Sequence, residues 1–415
     1  MNRRTWSVVV LLLAAGAAQA QDVKVNALVD LWYTQMMDNN LRLDTPAKYY
    51  QLNSAFQENG FSVRRAELYI SGKLNEDLSY MVLFDPNTAT NTTTTPTTLL
   101  DCFITYKVNS NFSLKVGQYK PLQTFEASMV PATELLLYDR SQLAKQFGDK
   151  RDRGIVATYS WGDTAGLSGK VNVGVFNGSG DRDSGKANDA NAQKDFVTRF
   201  EFAYGKQHRF GLYTRNGSTD AADKGGLTVN AFSYAGTAGP TNDQILDNKD
   251  KISNVGAYYA FDNGTWIAQA EAITGVLGRR FPSVGMTGTT TPPASRQHLD
   301  QKFMGYVVTG AYRMGKHTFV ARYDFLNYNK GDDYYGPYSP YTQNTTTGVD
   351  LGADYTPKFT ELVAGWTYTW TPTKWTQTNF KLNYIHRSKN FLLPRGGQSG
   401  EQGGDSIVAA LQVGF

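Results

Sequence analysis

The groups that attack substrates, relay protons or hold metals are sparse in this chain. Its four histidines, His208, His298, His317 and His386, are scattered, and neither H-E-x-x-H nor G-x-S-x-G occurs. No zinc centre or nucleophile elbow is therefore signalled. The stretch "GDRDSGKA", Gly180 to Ala187, matches G-x-x-x-x-G-K but puts Ala187 where a Mg²⁺-binding hydroxyl belongs. It also sits in a polar loop, without the strand-to-helix turn that lets such a motif cradle phosphate. Asp181, Asp183 and Asp189 lack the spacing of a calcium-binding loop. No cofactor and no metal are expected. What remains is charge: basic residues such as Lys115, Arg199, Arg215, Arg322, Lys381 and Arg387 recur at alternate positions among apolar neighbours. Cations held in a row along a narrow aqueous passage concentrate anions, because low-dielectric walls focus their field.

Those cations need strands to aim them. Leu362, Ala364, Trp366, Tyr368 and Trp370 alternate with Glu361, Val363, Gly365, Thr367 and Thr369; Val171, Val173 and Val175 alternate with Lys170, Asn172 and Gly174. Such segments have one face for lipid and one for water. About sixteen are present: 23–34, 61–72, 77–86, 99–108, 112–121, 153–161, 168–178, 195–205, 208–216, 252–262, 265–275, 302–314, 317–328, 359–370, 375–387 and 406–415. Between them, tight polar turns such as Asn263 to Gly264 alternate with long loops such as "DPNTATNTTTTPTT". The pattern predicts an all-β transmembrane antiparallel barrel of about 16 strands, with short periplasmic turns, long external loops and both termini on the periplasmic side. A count of 18 stays open. The final stretch "SIVAALQVGF" ends on Phe415 with apolar residues at every second position, and closure against the strand near Val23 would remove that edge.

Composition agrees with a barrel. Mean hydropathy is −0.43, yet aromatics make up 13% of the chain, with 25 Tyr and 22 Phe. The single cysteine, Cys102, excludes an intramolecular disulfide. Arg3 and Arg4 precede an apolar run closed by Ala18-Gln19-Ala20, the grammar of a signal peptide cleaved before Gln21. Residues 1–20 are thus a signal peptide and 21–415 one barrel domain. Removing Arg3 and Arg4 from 41 basic residues, against 37 acidic, leaves the mature chain only slightly basic, so no nucleic-acid partner is implied.

The connection from about Pro121 to Asp152, "PLQTFEASMVPATELLLYDRSQLAKQFGDKRD", is too apolar for a solvated tip. Leu135, Leu136 and Leu137 make sense packed against a barrel wall. Strand phase assigns Lys24, Arg65, Lys107, Lys115, Lys170, Arg199, Arg215, Arg313, Arg322, Lys381 and Arg387 to the water face, against the acids Asp30, Glu67, Asp85, Asp101, Glu201, Glu271, Asp324 and Glu361. Arg65 with Glu67, Arg199 with Glu201 and Arg322 with Asp324 are candidate pairs, two apart on one face. Lys115 and Arg215 have no such neighbour and are expected to contribute most to the pore potential.

The order of "FSVRRAELYISGKLNEDLSYMVLFDP", "SLKVGQYKP" and "DKRDRGIVATY" resembles the phosphate-selective porin O and P family. The resemblance implies a sixteen-stranded, trimeric porin whose third loop folds into the lumen. Arg64 and Arg65 fit the family's "RRA" pair. The inward loop carries Lys120, Arg140, Lys145, Lys150 and Arg151, offset by Glu126, Glu134, Asp139, Asp149 and Asp152, without the lysine cluster of the phosphate specialists. The expected function is a passive channel for small hydrophilic solutes, neutral or anionic, with weak anion preference. Its expected site is a Gram-negative outer membrane, among lipid and lipopolysaccharide. A barrel hydrolase, or a non-conducting adhesive barrel, is the alternative.

Overall fold

A strand with one greasy face is stable alone in neither water nor lipid; pairing every strand edge in a closed ring satisfies both its faces and its backbone. The computed structural model describes residues 22–37, 59–86, 98–163, 165–178, 194–219, 250–279, 299–327, 330, 358–371, 377–388 and 404–415. The expected signal peptide, the "GDRDSGKA" stretch and the calcium candidates lie outside these residues, as do most of the external loops.

Sixteen strands form the ring. They are β1 (Asp22–Met36), β2 (Gly60–Lys73), β3 (Leu78–Phe84), β4 (Leu99–Lys107), β5 (Phe112–Tyr119), β6 (Asp152–Gly162), β7 (Leu167–Phe176) and β8 (Asp195–Tyr204). They continue as β9 (His208–Thr219), β10 (Asp250–Asp262), β11 (Trp266–Arg279), β12 (Leu299–Met314), β13 (His317–Asn327), β14 (Lys358–Thr371), β15 (Thr378–Arg387) and β16 (Gly404–Gly414). Each pairs with its neighbours in sequence, and β1 closes on β16. At the seam Phe415 and Ala27 exchange backbone hydrogen bonds of 2.6 and 3.0 Å. Every expected segment is a strand. The largest differences are at β11, which runs on to Arg279, and at β9, whose end, and β12 and β15, whose starts, shift by three residues.

One device recurs in the short turns. The side-chain oxygens of Asn75, Asn109, Asp163 and Asn263 each accept two backbone N–H groups two and three residues on, at 2.7–3.0 Å. This Asx geometry reverses the chain without help from tertiary contacts. Two other tight turns instead use Gly205 (φ 59°) and Gly315 (φ 61°), in the left-handed region that a side chain disfavours.

The strand register shifts at three places among the described residues, in β2, opposite Leu83/Phe84 and at Thr369/Thr371, and the first is informative. In β2, Asp30 of β1 faces Arg65 while Leu31 faces Val63, so Arg64 is an extra residue. This bulge flips the phase. Phe61 and Val63 face outward before it and Leu68 after it, while both Arg64 and Arg65 reach the inner-loop carboxylate of Asp139. The sequence signal was the three-residue step from Val63 to Ala66, where two was expected.

The inner face of β14 departs from expectation. Glu361, Val363 and Thr367 are not bathed in water; they are buried, with Phe359, beneath the inward loop.

Candidate pore and its inward loop

Residues 120–151 join β5 to β6 and cross the lumen. They contain a short helix α1 (Phe125–Met129), a 3₁₀ turn (Ala132–Glu134) and a second helix α2 (Gln142–Phe147). Ser141 caps α2 by accepting from the Ala144 N–H at 3.2 Å. Its own N–H donates to Glu126 at 2.6 Å, tying α2 to α1. Apolar side chains then seat the loop. Phe125 stacks on Tyr258 at 4.9 Å, Phe147 on Phe303 at 4.4 Å, and Tyr138 meets the edge of Trp32 at 5.2 Å. Leu135 and Leu137 are buried and Leu136 partly so, as their composition predicts. The loop lies so close to β14 that a Cβ on Gly365 would stand 2.5 Å from Leu137 Cδ2.

Charge fixes what packing begins. Asp139 accepts from Arg64 (3.0 Å), Arg65 (2.5 Å) and Lys145 (2.8 Å), and Arg65 also binds Asp30 at 2.7 Å. Arg322 pairs with Asp324 and Glu361, each at 3.0 Å, and donates to the Asp139 carbonyl at 2.8 Å. Glu126 stands 3.9 Å from the same guanidinium. Glu361 also binds Arg387 (2.6 Å) and accepts from Gln142 (2.9 Å). The Lys381 ammonium caps the Leu135 and Leu137 carbonyls at 2.7 and 3.2 Å. Arg199 reaches Ser128 Oγ at 2.5 Å, the Met129 sulfur, and Glu201 at 3.3 Å. Within the loop, Arg140 donates to the Val130 carbonyl at 3.2 Å, and Lys120 pairs with Asp149. Burial opposes the charge on Asp139 and Asp149, but Lys145, Arg64 and Arg65 around the first, and Lys120, Arg140 and Arg151 around the second, hold both carboxyls below their ordinary range. Burial and the nearby Arg140 bring Lys120 down to about 8, still charged at neutral pH.

These contacts revise the expected water-facing set. Arg65, Arg199, Arg322, Lys381 and Arg387 do point inward, but all five are buried as loop anchors and are not bathed in the channel. The expected pairs with Glu201 and Asp324 are present, whereas Glu67 is only a distant partner of Arg65 at 3.9 Å. Arg215 was expected to be uncompensated, yet Asp195 on the adjacent strand binds it at 2.5 Å. A partner on a neighbouring strand is invisible to a two-residue rule. Lys115 lies over the rings of Phe103 (3.6 Å) and Tyr119 (4.1 Å).

The loop covers the wall unevenly. Leu28 on β1, Ile267 on β11, Ala311 on β12, Val320 on β13, Thr367 on β14 and Ala410 on β16 all face inward and are buried. On the facing wall, from β4 to β9, Val156, Asn172, Phe176, Val197, Arg199 and Tyr213 are buried as well, but toward the short turns inward Thr105, Lys115, Thr158, Ser160 and Glu201 stay partly exposed, and Lys107, Lys170 and Arg209 are exposed. At the short-turn end the open space is therefore off-centre, bounded by the loop on one side and β4–β9 on the other. Its wall carries Lys107, Lys170 and Arg209, while Glu201 is engaged by Arg199 and Asn172. Arg209 was not among the expected residues, although its alternation with Phe210 and Leu212 signals its phase.

A barrel of sixteen strands narrowed by an inward third loop is the architecture the sequence resemblance implies. The model of the phosphate-selective porin O and P family matches residues 37–390. The chain belongs to that family. Its fold is shared with solved porins at low identity. The outer-membrane channel DcaP of Acinetobacter baumannii superposes with a TM-score of 0.58 at 13% identity, covering 95% of this chain and 97% of that one. OprB of Pseudomonas putida gives 0.53 at 12%, covering 97% and 96%. OmpF of Salmonella typhi gives 0.52 at 11%, covering 96% and 99%. No curated protein matches the sequence significantly. This porin is thus an outer-membrane β-barrel channel for small solutes, of the Gram-negative type.

Proposed function

We propose that this porin passes small hydrophilic solutes by passive diffusion between its inward loop and the β4–β9 wall, with a weak preference for anions. The observation that carries the preference is the exposure of Lys107, Lys170 and Arg209 on that wall, where Glu201, opposite Lys170, is already held by Arg199, and Asp101 on β4 by Arg151. Uncompensated cations beside a low-dielectric surface raise the local anion concentration. Phosphate specificity is not favoured, because the loop cations Lys120, Arg140 and Lys145 are engaged by Asp149, Val130 and Asp139. The partly open wall favours a conducting barrel over an adhesive one.

In planar bilayers under a KCl gradient, the reversal potential of the wild-type channel is expected to favour Cl⁻. Replacing Lys107, Lys170 and Arg209 together by glutamine should move it toward K⁺. A cation-selective wild type, or block by micromolar phosphate, would overturn this reading. A homotrimer is part of the proposal, supported by the aliphatic outer row Val23, Val25 and Ile70 at the short-turn end of β1 and β2. At the same end β6, β8, β11 and β14 instead carry the interface aromatics Trp161, Tyr204, Trp266 and Trp370. Lipopolysaccharide contact and cleavage of a signal peptide before Gln21 complete it; mass spectrometry of the purified protein tests the cleavage and the trimer together.

A further inference from the structure

The outward face of β9–β12 breaks the rule that barrels obey elsewhere. At one register level, Phe196 of β8 is followed by Asn216, Ser253, Val276 and Lys302 on the next four strands. One step toward the short turns the row reads Thr214, Val255, Thr274 and Met304, and the next is fully apolar: Leu212, Ala257, Ala272 and Tyr306. Polar and charged groups on a lipid-facing wall are costly near the midplane and tolerated only toward an interface. The polar rows therefore mark the headgroup level on the long-loop side. At this level the wall holds a groove of about 480 Å³, lined among others by Asn216, Ser253, Thr274, Lys302 and Lys330. The Lys330 N–H donates to the Lys302 carbonyl at 2.7 Å, which brings the two lysines together. Both side chains are exposed, and neither has a carboxylate partner among the described residues.

We propose that this groove binds the phosphorylated headgroup of an outer-leaflet lipid, with Lys302 and Lys330 on the phosphate, Asn216 and Ser253 on the polar headgroup, and Leu212, Ala257, Ala272 and Tyr306 against the acyl chains. Charge complementarity selects the occupant: two lysines lining one groove at headgroup depth suit an anion, and the apolar row directly beneath suits the chains that anchor it. The proposal rests on the long-loop side facing the outer leaflet, and is independent of which ions the lumen favours.

The test uses the full-length folded barrel in detergent, titrated by native mass spectrometry with bis-phosphorylated lipid A and with the same lipid after enzymatic dephosphorylation. Wild type should bind the phosphorylated form about tenfold more tightly or better, the scale of a charge-assisted contact. Lys302→Gln with Lys330→Gln should lose that margin while binding the dephosphorylated lipid as before, and the corresponding double arginine variant should keep it. Unchanged conductance of the glutamine variant would show an intact barrel and separate this site from the pore. Equal binding of the two lipids by wild type, or an unaltered margin in the glutamine variant, would reduce the groove to ordinary lipid contact and overturn the proposal. Displacement of the lipid by low-millimolar inorganic phosphate would overturn it in favour of a free-phosphate site.

Discussion

Asp139 neutralises three cations, two from β2 and one from α2, at the point where the loop crosses the lumen. Removing one member of a buried ionic cluster leaves uncompensated charge behind, which costs more than the cluster itself contributes. Asp139→Asn should therefore destabilise the folded porin by about 3–5 kcal/mol, read as a lower urea midpoint in detergent. At the same scale, ion selectivity should follow exposure and pairing, not mere position on an inward face. Lys170→Gln is expected to shift the reversal potential toward K⁺ more than Arg215→Gln does, because Asp195 already offsets Arg215. Equal shifts would mean that the Asp195 pair leaves the Arg215 field unscreened. Inward phase was legible for Arg199, Arg322, Lys381 and Arg387 from alternation alone. What they touch was not, since Leu135 and Leu137, whose carbonyls Lys381 caps, precede it by more than two hundred residues, and no local pattern records that approach.

The inward loop behaves as an element with its own electrostatic lock. Asp139 and Asp149 both titrate below their ordinary value of 3.8 because of the cations around them. A carboxyl depressed in the folded state stabilises that state fully above its unfolded value and ceases to do so as pH falls through the native one. The docked loop should thus be intact at pH 5–7 and loosen only as pH falls well below the ordinary carboxylate range. Near-UV dichroism of Tyr138 and Trp32 should fade before the far-UV strand signal does; simultaneous loss would assign no separate lock to the loop. Packing gives a second handle: Gly365→Val should collide with Leu137 and cost about 1–3 kcal/mol as an overpacked contact, with a larger single-channel current if the loop is displaced. The bulge in β2 makes an unusual deletion tolerable. Losing one residue inside a regular strand turns half of it inside out, but losing Arg64 removes the extra residue itself and leaves Phe61, Val63 and Leu68 facing lipid. Folded yield of that deletion should exceed that of a Ser62 deletion. The loop's destination was readable in its leucines, whereas the bulge went unread because the alternation was followed on each side of it separately.

On the scale of the whole molecule, closure depends on the last residue. Phe415 pairs with Ala27 through both backbone groups while its ring faces outward. Deleting it should leave the seam short by one hydrogen-bonded pair and reduce the heat-modifiable, folded fraction on electrophoresis. The number of strands, their order and the alternation of turn and loop were all legible, since periodicity and parity are properties of the chain itself. The uneven filling of the lumen was not, because it depends on where residues 120–151 come to rest. That asymmetry has a mechanical consequence. A tube braced across part of its bore resists flattening there and yields where it is hollow. The wall from β11 through β16 to β1, bolted to the loop by Arg322, Arg387 and Lys381, should be stiff, and the short-turn ends of β4–β9, beyond the Arg199 anchor, more compliant. Spin labels on opposite edges of each arc would report this as a narrow distance distribution across the first and a broad one across the second. Lateral pressure from a thicker or more ordered membrane would then change the conductance by ovalising the hollow arc, leaving the braced arc in its original shape.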